Sequence, residues 1–156
     1  MQDFVIRKAK IKDLEEIQRL NHELFVHDRE YDPLLDMNWS FEEGETYFKN
    51  RINGDGAVFV AQVNGKVVGY LAGGMMRPYS YRKIKKMTEL ENTLVKEEFR
   101  GQGIGEKLFD KFIECSKVMG AERIKVSVSF DNERGIKFYK RVGFIPYAIE
   151  LEYEIK

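Results

Sequence analysis

"VKEEFRGQGIGEKLF", residues 95–109, places Gly101, Gly103 and Gly105 within five positions. An apolar run precedes them, and Ile104, Leu108, Phe109, Phe112 and Ile113 keep helical spacing after them. Glycine is costly inside regular structure, so the cluster marks backbone that something approaches closely. The pattern predicts a strand ending near Val95 and a helix starting near Gly103. The first N–H groups of a helix lack internal partners and carry partial positive charge. Glycines leave those groups open to a ligand, and Arg100 adds a permanent cation. Together they read as a phosphate cradle. A tight strand-to-helix turn is the plainer alternative, although one glycine would suffice for it.

Around this stretch, strands and helices alternate. "FVIRKA" (4–9) reads as a strand, and Leu14, Ile17, Leu20 and Leu24 as a helix over 12–26. Residues 26–39 are irregular, with a break at Asp32-Pro33. Ser40 and Glu43 form an S-x-x-E capping box for a helix reaching about Ile52. Two strands flank Asn64-Gly65, a strong hairpin signal. "RPYSYRKIKK" (77–86) is a polar loop, and "MTELENTLV" (87–95) a strand. "RIKVSVSF" (123–130) alternates at period two, residues 132–142 are helical, and "FIPYAIELEYEI" closes as a strand broken near Pro146. The expected class is α/β with a mixed α+β sheet in a single domain over 1–156, since the strand-rich middle argues against a purely parallel sheet.

Size and charge narrow the functions. The chain has 156 residues, 43% apolar and 33% charged, which suits a soluble globular domain. Lys+Arg is 26 and Asp+Glu is 26, so no global field draws in nucleic acid or an anionic membrane. Cys115 stands alone, and the first residues lack the apolar stretch of a signal peptide, so a cytoplasmic setting is expected.

No window fits the G-x-x-x-x-G-K-[ST] of a nucleotide-triphosphate loop. The dinucleotide fingerprint G-x-G-x-x-G fails at Glu106. What remains is R-x-x-G-x-G: Arg100, Gly103, Gly105. This resembles the acetyl-coenzyme A signature of the GNAT superfamily of N-acetyltransferases. "NERGIKFYKRVGF" (132–144) is similar to that family's second cofactor motif, an Asn followed seven residues later by a Tyr and then by "GF". The resemblance implies a central, mostly antiparallel mixed sheet flanked by helices, with a splayed strand pair for coenzyme A. It places the pyrophosphate on the backbone of Arg100, Gly101, Gln102, Gly103, Ile104, Gly105 and Glu106. It places the pantetheine arm along Thr93, Leu94 and Val95 and against Asn132, with a backbone N–H near Val95 polarising the thioester carbonyl. Asn132 also suits a helix N-cap. The splay is expected between 87–95 and "RIKVSVSF", with Lys96-Glu97-Glu98 holding a bulge.

Amine acetylation needs a proton acceptor. A lysine-like amine of pKa about 10.4 is neutral in about one molecule of roughly 2,500 at pH 7, worth about 4.6 kcal/mol. Glu89 and Glu91 point to one face of their strand and are the candidate bases or substrate anchors. The resemblance favours Glu91, four residues before Val95, and solvent-facing charges are the alternative. Tyr139 is the candidate general acid, placed by the resemblance near the thioester sulfur. A phenol near pKa 10 suits a thiolate of about 8.5. Its spacing with Ile136 and Val142 equally suits packing.

Tyr31, Trp39, Tyr79 and Tyr81 are expected to wall the acceptor pocket, with Asp28, Glu30, Asp32 and Asp36 adding acidity suited to a cationic amine. Glu122, Glu150, Glu152 and Glu154 read as a solvated strand face. His22 and His27 lack metal-ligand geometry, no metal is expected, and Cys115 reads as a small buried group. The reading is an N-acetyltransferase acting by direct attack on a primary amine of a small molecule or peptide, and a homodimer is compatible with it. The acceptor and the acyl-chain length stay open. The alternative is a non-catalytic acyl-coenzyme A-binding sensor or regulatory subunit, which would keep Arg100, Gly103 and Gly105 without needing Glu91 or Tyr139.

Overall fold

Alternating apolar residues in the middle of the chain build the sheet that carries everything else. The computed structural model describes residues 3–156. It contains β1 (Val5–Lys8), α1 (Leu14–Asp28), α2 (Glu43–Asn53), β2 (Ala57–Val63), β3 (Lys66–Met76), β4 (Met87–Val95), α3 (Ile104–Val118), β5 (Arg123–Val126) and α4 (Glu133–Arg141). Short 3-10 turns lie at Ile11–Asp13, Trp39–Phe41 and Glu97–Phe99. The sheet order is β1-β2-β3-β4-β5, antiparallel throughout except for the parallel pair β4–β5. Asn64 and Gly65, at φ 50° and 77°, make the primed hairpin turn between β2 and β3.

Each face of the sheet is covered. On one, Phe59, Ala61, Leu71 and Leu90 pack with Ile104, Leu108, Phe109 and Phe112 of α3. On the other, Val58, Val60, Tyr70 and Leu94 pack with Ile17 and Leu20 of α1 and Phe48 of α2. Leu90 and Leu94 are an even number apart yet lie on opposite faces. The cause is a bulge: Leu90 pairs with Gly73 and Asn92 with Ala72, so Glu91 has no partner residue. Val68 is skipped in the same way between Val67 and Gly69.

Buried polar groups fix how α1 crosses the sheet. Asn21 donates to the Tyr70 hydroxyl (2.9 Å) and accepts from Ser40 Oγ (2.6 Å), and Gln18 donates to the Ser40 carbonyl (3.0 Å). A satisfied network of this kind specifies one packing arrangement.

Four sequence expectations fail here. Ser40 caps no helix: its hydroxyl is taken by Asn21, and Glu42 is the residue before α2. The bulge forms at Glu91, while residues 97–99 make a 3-10 turn instead. The strand over 123–130 stops at Val126, where its ladder to β4 ends, and "FIPYAIELEYEI" is not a strand, because no neighbouring strand of its own chain pairs with it. Among the described residues no helix is long and apolar enough to cross a membrane.

Arg7 grips buried Asp13 through both guanidinium nitrogens (2.7 Å each), and the Lys10 N–H adds a third bond (2.8 Å). The hydrogen bond from Arg7 holds the Asp13 carboxyl below its ordinary range. A depressed carboxylate stabilises the fold above its unfolded value, and that stability is lost as pH falls through the folded one. Asp13→Asn is therefore expected to cost about 3 kcal/mol at pH 7. The difference from the parent should shrink below about pH 4, as read by chemical denaturation across that range.

Candidate active site

The ladder between β4 and β5 runs from Met87–Arg123 to Leu90–Val126 and then ends. From Asn92 to Val95, β4 still pairs with β3, but its other edge faces no strand. Backbone groups on that edge stand open to a ligand. This is the splay that the sequence led us to expect at Thr93, Leu94 and Val95. The Leu94 side chain is buried against α1 and α2, so it offers only backbone here. Thr93 Oγ1 donates to the Tyr70 carbonyl (2.7 Å). Arg100 Nε donates to the Val95 carbonyl (2.7 Å), which ties the glycine loop to the end of β4.

In that loop Gly101 and Gly103 take φ of 75° and 81°, and a Cβ at either would meet open space. They serve the left-handed turn and keep the surface bare. Gly105 differs: a Cβ there would come within 3.2 Å of Phe138, so it lets α4 lie on the first turn of α3. The Lys107 N–H reaches the Gly103 carbonyl (3.0 Å), so the N–H groups of Ile104, Gly105 and Glu106 lie ahead of the first helical bond. The Ile104 side chain is buried, and Arg141 engages the Glu106 carboxylate (2.9 Å). Gln102 Oε1 is buried without a hydrogen-bond partner.

Burial first, then the nearby Arg134 cation, lowers the Arg100 pKa. Two cations sharing one space favour an anion between them. Arg134 was missed from sequence. Asn132 Oδ1 accepts from the Gly135 N–H (2.9 Å), which confirms the N-cap. Open amides, paired cations and an orphaned acceptor all fit a pyrophosphate with an amide-bearing arm.

The bulge turns Glu91 and Asn92 together toward α2. Arg51 Nε (3.1 Å) and Nη2 both donate to the Glu91 carboxylate, and so does the Tyr47 hydroxyl. Three donors leave room for about one more bond on a carboxylate with roughly four acceptor sites. Asn92 Nδ2 donates to the Tyr47 hydroxyl (3.2 Å), and its buried Oδ1 has no partner. Glu89 is paired with Lys125 (3.6 Å). Tyr47 and Arg51 escaped the sequence reading, although their four-residue spacing puts both on one face of α2. Asp28, at the end of α1, makes no ion pair among the described residues, and burial raises its pKa.

Tyr139 packs edge-on against Phe138 and Phe144. Burial, then the Asp28 charge, pushes its pKa up to about 12. Full proton transfer to a thiolate of about 8.5 is then uphill by roughly 5 kcal/mol, whereas donating a hydrogen bond is not. The expected match of acidities is corrected accordingly. Of the expected aromatic wall, Trp39 lies against Phe25 and Tyr47, with centroids 5.6 and 5.5 Å away, and so joins the Glu91 cluster. Tyr31 is half-buried just past α1, its N–H on the Asp28 carbonyl (2.8 Å). Tyr79 and Tyr81 stack on each other in the loop before β4, at the opposite end of that strand from the glycine loop. They are not brought to the other two.

The chain belongs to the Acetyltransferase (GNAT) family, whose model matches residues 13–144. Over 147 residues it is 34% identical to thialysine N-epsilon-acetyltransferase of Bos taurus, covering 89% of this chain and 82% of that one. Over 99 residues, 63% of this chain, it is 37% identical to an uncharacterized N-acetyltransferase of Methanocaldococcus jannaschii, and the match spans only 43% of that relative. It also superposes, with a TM-score of 0.77, on the aminoglycoside N-acetyltransferase AAC(6')-Iy in complex with a bisubstrate analog of coenzyme A. That match covers 99% of both chains at 17% identity, which is a likeness of fold. Acyl transfer to nitrogen with acetyl-coenzyme A as donor goes with the family.

A phenol whose folded pKa is raised gives its full stabilisation below pH 10 and loses it as pH rises through about 12. Tyr139→Phe should therefore remove up to about 2 kcal/mol of the alkaline loss in stability. Denaturation at pH 8 and pH 11.5 measures this. An equal loss in both proteins would show that the phenol titrates normally.

Proposed function

We propose that this chain transfers an acetyl group to the primary amine of a small cationic molecule or a peptide, by direct attack and without a covalent enzyme intermediate. The parting of β4 from β5, beside the glycine loop and at the bulge, carries this reading. Acetyl-coenzyme A, when bound, supplies a thioester carbonyl activated for attack by nitrogen. The N–H groups of Gly101 to Glu106, with Arg100 and Arg134, hold the anionic end, and Gln102 Oε1 accepts a bond at the loop. The open edge of Thr93–Val95 and the Asn132 amide orient the extended arm. A backbone N–H near Val95 donates to the carbonyl oxygen as charge develops there.

Glu91 anchors the acceptor. Its remaining acceptor site and Asn92 Oδ1 both suit an amine or ammonium donor. Asp28 takes the proton, directly or through water, because it is a half-buried carboxylate with no cation on it and a raised pKa. Glu89, held by Lys125, is a weaker candidate for either role. Tyr139 donates a hydrogen bond to the departing sulfur. Tyr31 and Trp39 line the approach from α1, and the acids at 28–36 favour a cation. By name, the bovine relative acts on thialysine at an ε-amine, which supports a small amine.

Release of coenzyme A thiol over a panel of amines, corrected for Cys115, tests the proposal. Tyr139→Phe should lower kcat about a hundredfold with cofactor affinity unchanged, and Glu91→Gln should raise KM for the amine. Asp28→Asn should lower kcat most at neutral pH, where the amine is protonated. Tight cofactor binding with no turnover on any amine would favour the non-catalytic acyl-coenzyme A sensor.

A further inference from the structure

Arg51 reaches the bulge of β4 across two glycines. A Cβ on Gly74 of β3 would come within 2.6 Å of Arg51 Nη1, and one on Gly56 within 2.9 Å of Arg51 Cδ. A side chain at either place would displace the guanidinium. The Tyr47 ring lies 5.7 Å from the guanidinium carbon. A guanidinium carries five N–H donors in a rigid fork. Nε and Nη2 are spent on Glu91, while Nη1 makes no hydrogen bond among the described residues. Nη1 is not a buried orphan either, so it stands open to a ligand.

Groups of the opposite kind adjoin it. Glu91 keeps about one free acceptor site, and Asn92 Oδ1 has no partner. Both side chains meet at the Tyr47 hydroxyl. Glu89 stands opposite Gly74 and pairs with its other register neighbour, Lys125 (3.6 Å). The floor therefore holds two ion pairs, Arg51–Glu91 and Lys125–Glu89, and no net charge. A polyamine would bring a second cation to a floor already neutral. A group with an ammonium beside a carboxylate meets both kinds of open valence.

This end of the acceptor is not the end that reacts. The N–H near Val95 lies three residues along β4 from Asn92, about 10 Å. Contacts of about 3 Å at each end leave roughly 5 Å between the bound group and the attacking nitrogen. A chain of about four carbons spans that distance.

We propose that Arg51 determines which acceptor is taken, and that the acceptor is a diamino acid. Its α-carboxylate lies on Arg51 Nη1, its α-ammonium on Glu91 and Asn92, and its side-chain amine is presented to the thioester. There the C–N bond forms as the thioester C–S bond breaks. Of the two protons the ammonium gives up, one leaves to water and one ends on the coenzyme A thiol. The inference rests on the acetyl-transfer reading above and narrows it. A peptide bound by an internal residue has no carboxylate to give Arg51.

Three acceptors test this: lysine, lysine amide, and cadaverine, which is lysine without its carboxylate. Coenzyme A release should show kcat/KM for lysine at least tenfold above either of the others. Arg51→Gln should bring the ratio of lysine to cadaverine close to one, whatever it does to each rate. Gly74→Ala, which crowds Nη1 from beneath, should lower the same ratio, and circular dichroism checks that both variants fold. Cadaverine used as well as lysine overturns the inference, and so does a ratio that neither variant moves. Should no amine release coenzyme A, the acetyl-transfer reading fails separately. Calorimetric titration of the coenzyme A-loaded chain then decides the inference. Lysine binding that cadaverine does not match and Arg51→Gln abolishes supports it, and equal or absent binding overturns it.

Discussion

Backbone pairing between β4 and β5 stops at Leu90 and Val126, and the rest of the site is arranged around that interruption. A sheet edge opened inside the molecule leaves N–H and C=O groups that must find partners. Arg100 takes one carbonyl, and an extended ligand can take others. The glycine loop lies directly beyond the opening because the same strand feeds both. α4 lies against the first turn of α3 at Gly105, with Arg134 close enough to Arg100 to be felt there. On the proposed reading, consecutive pieces of chain serve the cofactor arm, the anion and the reacting group.

Electrostatics divides this space into two parts. At the loop, burial and then the Arg134 cation lower the Arg100 pKa, a cost that an anion reverses. At the bulge the charges are already matched: Glu91 is neutralised by Arg51 and steadied by Tyr47, and Glu89 by Lys125. Asp28, half-buried at the end of α1, makes no ion pair among the described residues, and burial raises its pKa. On the proposed reading, the three donors on Glu91 suit an anchor and leave proton transfer to Asp28.

Most of the fold was legible in the sequence because periodicity reports which faces are buried. The hairpin at Asn64-Gly65, the strand at 87–95 and the turn into α3 all follow from local rules. The glycine loop was legible for the same reason, since left-handed backbone leaves a compositional trace. What escaped depends on contacts distant in sequence. Tyr47 and Arg51 become functional candidates only when α2 meets the bulge, 40 or more residues away. Ser40 was drawn from its capping role by Asn21, also remote. The alternation at 145–156 predicts a strand that does not form, because alternation alone supplies no partner to pair with.

The bulge at Glu91 has a further bearing on how sequences of this kind diverge. Along a strand, facing direction is a matter of counting, and one unpaired residue works as a frameshift in that count. Losing a single residue between Leu90 and Asn92 would restore the simple alternation. Leu94, then three residues from Leu90, would keep its place opposite Tyr70, but the carboxylate that Arg51 and Tyr47 hold would be gone. Substitutions here are graded in effect, but insertions and deletions are not.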